Sequence, residues 1–370
     1  MHERVLEITP YVPLWLFARI YACLPAHVHY ILLPTFTSAK ALITPHYTPS
    51  QSFGTQKSLS NATMKHSDFQ FKDLPELTGK VILITGGTSG LGHLTAKILA
   101  TKCSPAHIYI SGRNTQKANL VIQDLQLLAP SVKVTFLHMD LADLDTIAIA
   151  ADMFLAENKR LDILIANAGI MATGPGTSKN GFEIQFATNF LGHALLIRKL
   201  LPILLSTSAE YGDARIVSVT STGFHVAPKD QGIIFDDLTT TQNYGFGSNW
   251  TRYGQSKLAL LVYTRTLAEK YPELTTVVVH PGVIATDLVD GLGWTDRMIV
   301  YATNIGKMVS EEEGVKNGIW AATVKREDMV SGGFYEPVGE VGKHSRWSED
   351  EGLAAKLLEW TEGVLKEHGC

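Results

Sequence analysis

Cysteine is scarce: three in 370 residues, at Cys23, Cys103 and Cys370. Their spacing fits neither a disulfide framework nor a thiolate metal site. A reducing compartment, the cytoplasm, is therefore the default. Charge of one sign is equally thin. Lys and Arg number 32 against 36 Asp and Glu, a net charge of −4, and no basic run stands out, so nucleic-acid binding gets no support. No repeat of 20–50 residues is present. A clean apolar run is missing too. Residues 11–33 carry Trp15, Phe17, Ile20, Tyr21, Ile31 and Leu32, yet Arg19 sits among them and Pro13, Pro25 and Pro34 break or flank the run. A spanning helix needs about 20 apolar residues with few charges, and a secretory signal needs an uninterrupted apolar core with a cleavage site. Two readings of 11–33 stay open: an extension without a role in the fold, or loose membrane contact.

What is present begins after a Ser/Thr/Gln-rich linker, 48–61. The chain thus divides into an extension and linker, 1–70, and one domain, 71–370. Lys80 to Ile84 (KVILI) is an apolar, β-branched run of the kind that forms a buried parallel strand. Thr85-Gly86-Gly87-Thr88-Ser89-Gly90-Leu91-Gly92 follows at once, and Leu94, Ile98 and Leu99 then recur at helical spacing. Strand, glycine turn and helix in that order suit a dinucleotide pyrophosphate. Glycines let the backbone approach phosphate, and the helix start offers free N–H groups and a positive dipole end. The spacing is G-x-x-x-G-x-G rather than G-x-G-x-x-G.

Far downstream, Tyr253 and Lys257 are spaced Y-x-x-x-K. Leu258, Leu261 and Val262 form an apolar stripe that supports a helix there, which places the phenol and the ammonium one turn apart. A carbonyl being reduced needs a proton as hydride arrives. A free tyrosine, with a pKa of about 10, is a poor base near neutrality, and a neighbouring ammonium is expected to lower that pKa.

The glycine spacing together with Y-x-x-x-K resembles the short-chain dehydrogenase/reductase family over roughly Leu77 to Tyr335. Other motifs follow in family order. Asp140-Leu141 closes the extended run Val132 to Met139. Asn167-Ala168-Gly169 ends the apolar strand Leu161–Ala166. Asn189 lies in Ala187-Thr188-Asn189, Ser221 follows the strand Arg215–Thr220, and Pro281-Gly282-Val283 leads to Thr286. The resemblance implies an α/β fold with a Rossmann-like doubly wound parallel sheet, which the alternation of strand-like and helical segments also suggests. It implies a cofactor held by Gly86, Thr88, Ser89, Gly90, Leu91, Gly92, Asp140, Leu141, Asn167, Ala168, Gly169, Tyr253, Lys257, Pro281, Gly282, Val283 and Thr286. It further implies Tyr253 as proton donor, Lys257 on the nicotinamide ribose, Ser221 on the substrate oxygen, and Asn189 holding a water beside Lys257. Thr220 competes with Ser221 for the serine role. The 32 residues between Ser221 and Tyr253 are more than many members have. The insert, 225–250, resembles that of retinol-dehydrogenase-like members.

Cofactor choice turns on the second strand, His107–Ile110. NAD-dependent versions usually place an acid after it. Here Ser111-Gly112-Arg113-Asn114 follows. Arg113 can instead make charge-assisted bonds to a 2′-phosphate, which favours NADP(H); the alternative is that Arg113 stacks on adenine or faces solvent. The segment 287–307 carries Leu288, Leu292, Trp294, Met298, Ile299 and Tyr301. It reads either as an apolar lid over a bulky apolar carbonyl or alcohol, or as ordinary helix packing. Gly333–Lys343 resembles family members of filamentous fungi that serve secondary metabolism. Ser348-Glu349-Asp350-Glu351 reads as a capping box before a stripe of Leu353, Leu357, Trp360 and Val364. The expected activity is an NADP(H)-dependent oxidoreductase. A non-catalytic nucleotide sensor on the same fold is the alternative, although such proteins typically lose the Tyr or Lys.

Overall fold

The computed structural model describes residues 69–284, 289 and 292–368. The expectations for 11–33, for the linker, for Thr286 and for Leu288 lie outside these residues.

The core is an eight-stranded sheet in the order β10-β9-β6-β5-β4-β1-β2-β3. Its strands are β1 (Val81–Thr85), β2 (His107–Gly112), β3 (Lys133–His138), β4 (Ile163–Ala166), β5 (Arg215–Val219), β6 (Thr275–Val279), β9 (Phe334–Glu336) and β10 (Glu340–Val341). Two short strands, β7 (Val283–Ile284) and β8 (Met308–Val309), pair separately. Within the main sheet only β10 runs antiparallel, against β9. β1 lies between β2 and β4, both parallel to it. The chain order therefore reverses at β1, which opens a crevice beyond its carboxyl end where ligands bind in such sheets.

The strands are apolar on both faces because helices cover both. On one face lie α1 (Gly90–Cys103), α2 (Thr115–Leu128) and α7 (Glu311–Thr323), burying Leu99, Leu125 and Ile319 against Ile82, Ile84 and Val277. On the other lie α3 (Leu144–Glu157), α4 (Ile184–Tyr211), α5 (Ser248–Lys270) and α8 (Glu351–Glu367). They bury Phe154, Phe190, Leu200, Leu261 and Leu357 against Leu83, Leu164 and Ile216. Each such aliphatic or aromatic side chain contributes about 1.5–3 kcal/mol. α4 is long and apolar enough to cross a membrane, but most of its apolar window is packed inside this core.

One boundary differs from the sequence reading. The N-cap of α8 is Asp350, whose side chain accepts the Leu353 N–H. Ser348 lies in a preceding 3₁₀ turn, fully buried, and its hydroxyl accepts the Ser345 N–H at 2.8 Å. Asp and Ser cap equally well, so local sequence alone does not separate them.

Candidate active site

The glycine loop lies at the carboxyl end of β1. Gly86 has φ +67°, a left-handed conformation that favours glycine. A Cβ on Gly92 would collide with the Gly86 carbonyl oxygen and stand 2.6 Å from Asn167 Nδ2. Ser89 is the N-cap of α1, yet its side chain makes no cap bond and no acid occupies the first turn. The leading N–H groups of the helix thus stay available to an anion. This arrangement fits a dinucleotide pyrophosphate.

The loop is tied to the next strand. Thr85 Oγ1 accepts the backbone N–H of Asn167 at 2.9 Å and of Ala168 at 3.0 Å. Asn167 Nδ2 donates back to the Thr85 carbonyl at 2.9 Å. Asn189 sits in a π-helical turn, Ala187–Leu191, inside α4. Its amide is committed to protein partners: Nδ2 donates to the Ile170 carbonyl and to Ser256 Oγ, both at 2.9 Å, and Oδ1 accepts the Ile170 N–H at 2.8 Å. Asn189 Oδ1 and Lys257 Nζ both face Gly169, at 3.1 and 3.3 Å from where its Cβ would stand.

Tyr253 and Lys257 project from α5, both buried. Burial pushes the phenol up to about 12, while the neighbouring Ser221 hydroxyl pulls it the other way. The expected lowering by Lys257 is not found. Its ammonium lies 5.9 Å from the ring centroid and donates to the Val219 carbonyl at 3.1 Å, while burial itself lowers Lys257 to about 8. Desolvation is the dominant cause for both groups. Ser221 Oγ also accepts the Gly223 N–H at 3.0 Å. Thr220, the competing hydroxyl, donates to the Lys257 carbonyl at 3.0 Å, so its hydrogen is already in use.

These groups share one cavity of about 370 Å³. Every site residue named from sequence lines it except Asn189, which stands behind Gly169, and Thr286, which is outside the described residues. At one end Arg113 has a side chain 70% exposed, with Nη1 4.0 Å from Asp140 Oδ2. Beside it the Ser111 hydroxyl is buried without a partner in the structure. At the other end the wall is apolar: Met171, Val289 and Val300 line the cavity and belong to a small cluster with Ala172 and Leu292.

Here the lid reading needs correction. In α6 (Trp294–Thr303), Trp294 is 71% exposed, and Met298, Ile299 and Tyr301 also face outward. The inward side chains are Val289, Leu292 and Val300. Asp296 holds the helix in place by accepting from Trp250 Nε1 at 2.7 Å and Asn249 Nδ2 at 3.0 Å. Sequence reasoning also missed Ser111 and His280, both on the cavity wall. Each directly flanks a motif that was recognised, and that adjacency was the available signal. Burial lowers His280 to about 4, which keeps its ring neutral.

The pattern of the short chain dehydrogenase family matches residues 80–231. A short-chain dehydrogenase/reductase of Aspergillus calidoustus is 34% identical over 308 residues, covering 80% of this chain and 96% of that one. Human polyprenol dehydrogenase is 34% identical over 264 residues, 70% of this chain and 77% of its own. Among solved structures, an uncharacterized protein of Mycobacterium paratuberculosis superposes with a TM-score of 0.62 at 29% identity, covering 80% of this chain and 97% of that one. With the glycine loop, the reversal at β1 and these likenesses together, the chain belongs to the short-chain dehydrogenase/reductase family of NAD(P)-binding oxidoreductases.

Proposed function

We propose that the protein is an NADP(H)-dependent oxidoreductase that interconverts a carbonyl and a secondary alcohol on a bulky apolar small molecule. The observation that carries this reading is that Ser221, Tyr253 and, one helical turn on, Lys257 line the same cavity as an uncapped glycine-loop helix. The loop 86–92 would hold the pyrophosphate, Asp140 and Leu141 the adenine end, and Lys257 with Pro281–Val283 the nicotinamide riboside. When bound, the nicotinamide supplies or takes the hydride. Tyr253 holds its proton at neutral pH, because burial keeps the phenol near 12. In the reducing direction it donates that proton to the carbonyl oxygen. Ser221 hydrogen-bonds the same oxygen as charge develops on it. Asn189 Oδ1 stands with Lys257 Nζ behind Gly169, and its role would be to hold a water beside Lys257.

The NADP(H) preference rests on Arg113, which is exposed at the cavity rim where an acid would otherwise meet the ribose. The apolar substrate rests on the wall of Met171, Val289 and Val300, and one relative is named for polyprenol. A role in secondary metabolism rests on the tail 333–343 alone. We assign the catalytic domain to 71–370, with 1–70 as an extension. The test is NADPH oxidation by the purified protein across a panel of apolar ketones, with NADH in parallel. Consumption of neither nucleotide with any ketone would sink the reading.

A further inference from the structure

His193 is fully buried in α4, one turn past Asn189, and takes no part in the chemistry above. Building on the oxidoreductase reading of this site, we propose that His193 is a positioning residue. Its imidazole joins the glycine-loop strand to the π turn of Asn189, and through that turn to the helix that carries Tyr253.

Donor and acceptor roles follow from the partners. Nδ1 lies 3.0 Å from the Asn189 carbonyl oxygen. A carbonyl only accepts, so Nδ1 carries the hydrogen. Burial lowers the ring to about 4, which keeps it neutral at physiological pH. Nε2 is then a bare acceptor, 2.9 Å from Thr85 Oγ1, and the Thr85 hydroxyl donates to it. Its other acceptor in reach, the Ile165 carbonyl, is at 3.5 Å, too long to compete. The lone pairs of Thr85 Oγ1 remain free for the Asn167 and Ala168 N–H groups already described.

The chain of bonds continues past Asn189. Its Nδ2 donates to Ser256 Oγ at 2.9 Å, and that hydroxyl donates to the Tyr253 carbonyl at 2.8 Å. One polar path therefore runs from the Asn167-Ala168 turn, through Thr85, His193, Asn189 and Ser256, to the backbone of the proton donor. Thr85 and His193 are 108 residues apart in sequence. An apolar residue at 193 can make neither of these bonds. It would leave the Thr85 hydroxyl and the Asn189 carbonyl without this partner, and a partly satisfied buried network loses its hold on geometry.

The experiment reads nucleotide affinity, so it does not depend on knowing the substrate. NADPH dissociation constants and melting temperatures are measured for the full chain and for His193→Phe, His193→Gln and His193→Asn. Gln keeps an acceptor toward Thr85, and Asn keeps a donor toward the Asn189 carbonyl. We expect His193→Phe to melt within a few degrees of wild type yet bind NADPH about tenfold more weakly, as the loss of one or two net hydrogen bonds implies. The two amide variants should fall between. If His193→Phe does not fold, both amide variants should still bind at least threefold more weakly than wild type. NADPH affinity within twofold of wild type in every folded variant overturns the proposal. So does an equal loss in all three with an equal drop in melting temperature, which marks plain packing. Failure of wild type itself to bind NADPH or NADH would instead sink the functional reading.

Discussion

Replacing Lys257 with Met separates two consequences of one buried ammonium. Lys257 is 5% exposed, and among the described residues no carboxylate pairs with it. Its ammonium donates to the Val219 carbonyl at 3.1 Å. Burial alone takes it from 10.5 to about 8, a difference worth about 3 kcal/mol against the charged form. Met keeps the length and removes the charge, but leaves the Val219 carbonyl unpaired at a cost of about 1 kcal/mol. The net gain is about 2 kcal/mol, which raises the melting temperature by roughly 3 °C for a domain of this size. The gain depends on pH. Below about pH 8 the lysine is charged in both states, and the burial cost is carried in full. Between about pH 8 and the ordinary lysine value the unfolded chain binds more protons than the folded one, so this group's contribution to stability rises with pH. The advantage of Lys257→Met should therefore be largest at pH 7 and largely vanish by about pH 10.5, while turnover is lost at every pH. Melting without nucleotide at pH 7 and pH 10 measures it. A variant less stable than wild type at pH 7, or one whose advantage grows with pH, would refute the burial argument.

Three further outcomes follow from particular contacts. Arg113→Ala should weaken NADPH binding by about 1.5–3 kcal/mol and leave NADH nearly unchanged; equal affinities for both nucleotides in wild type would refute the NADP(H) assignment. A Cβ on Gly223 would stand 2.6 Å from Tyr253 Cε1, so Gly223→Ala should displace the ring and cut kcat at least tenfold with little change in nucleotide affinity, as steady-state kinetics beside a binding titration will show. Arg252 Nε and Glu183 Oε1 form a fully buried pair at 3.1 Å, and burial raises Glu183 and lowers Arg252. Arg252→Met should destabilise by about 3–5 kcal/mol because it strands the carboxylate. Denaturant unfolding checks this, and the double variant Arg252→Met with Glu183→Leu should recover part of the loss.

The parts of the molecule legible in sequence are those coded locally. KVILI followed by glycines and a helical stripe is decided within some twenty residues, and β1, the loop and α1 form there as read. Y-x-x-x-K is likewise a statement about one helix, and α5 spans it. What was not legible depends on contacts across the sheet. Nothing near His193 marks it as a partner of Thr85. Asn317 is similar: its amide donates to the His280 and Tyr335 carbonyls at 2.8 and 2.9 Å and accepts the Gly339 N–H at 3.0 Å, which joins the turn before Pro281 to the tail. The lid misled because composition reports apolarity without direction, and Trp294 and Met298 turn outward while Val289 and Val300 turn in. The Tyr253 pKa misled for a related reason. Adjacency in sequence showed the ammonium but not the burial that dominates.

Tyr253→Phe is the most direct test of the central claim, because it removes one oxygen and keeps the ring in its packed place. Turnover of NADPH with an apolar ketone and NADPH affinity are measured together in wild type and variant. The account predicts that kcat falls by about a hundredfold or more, as loss of a general acid requires, while the dissociation constant stays within about twofold. Near-normal turnover in Tyr253→Phe would contradict it and place the proton donor elsewhere.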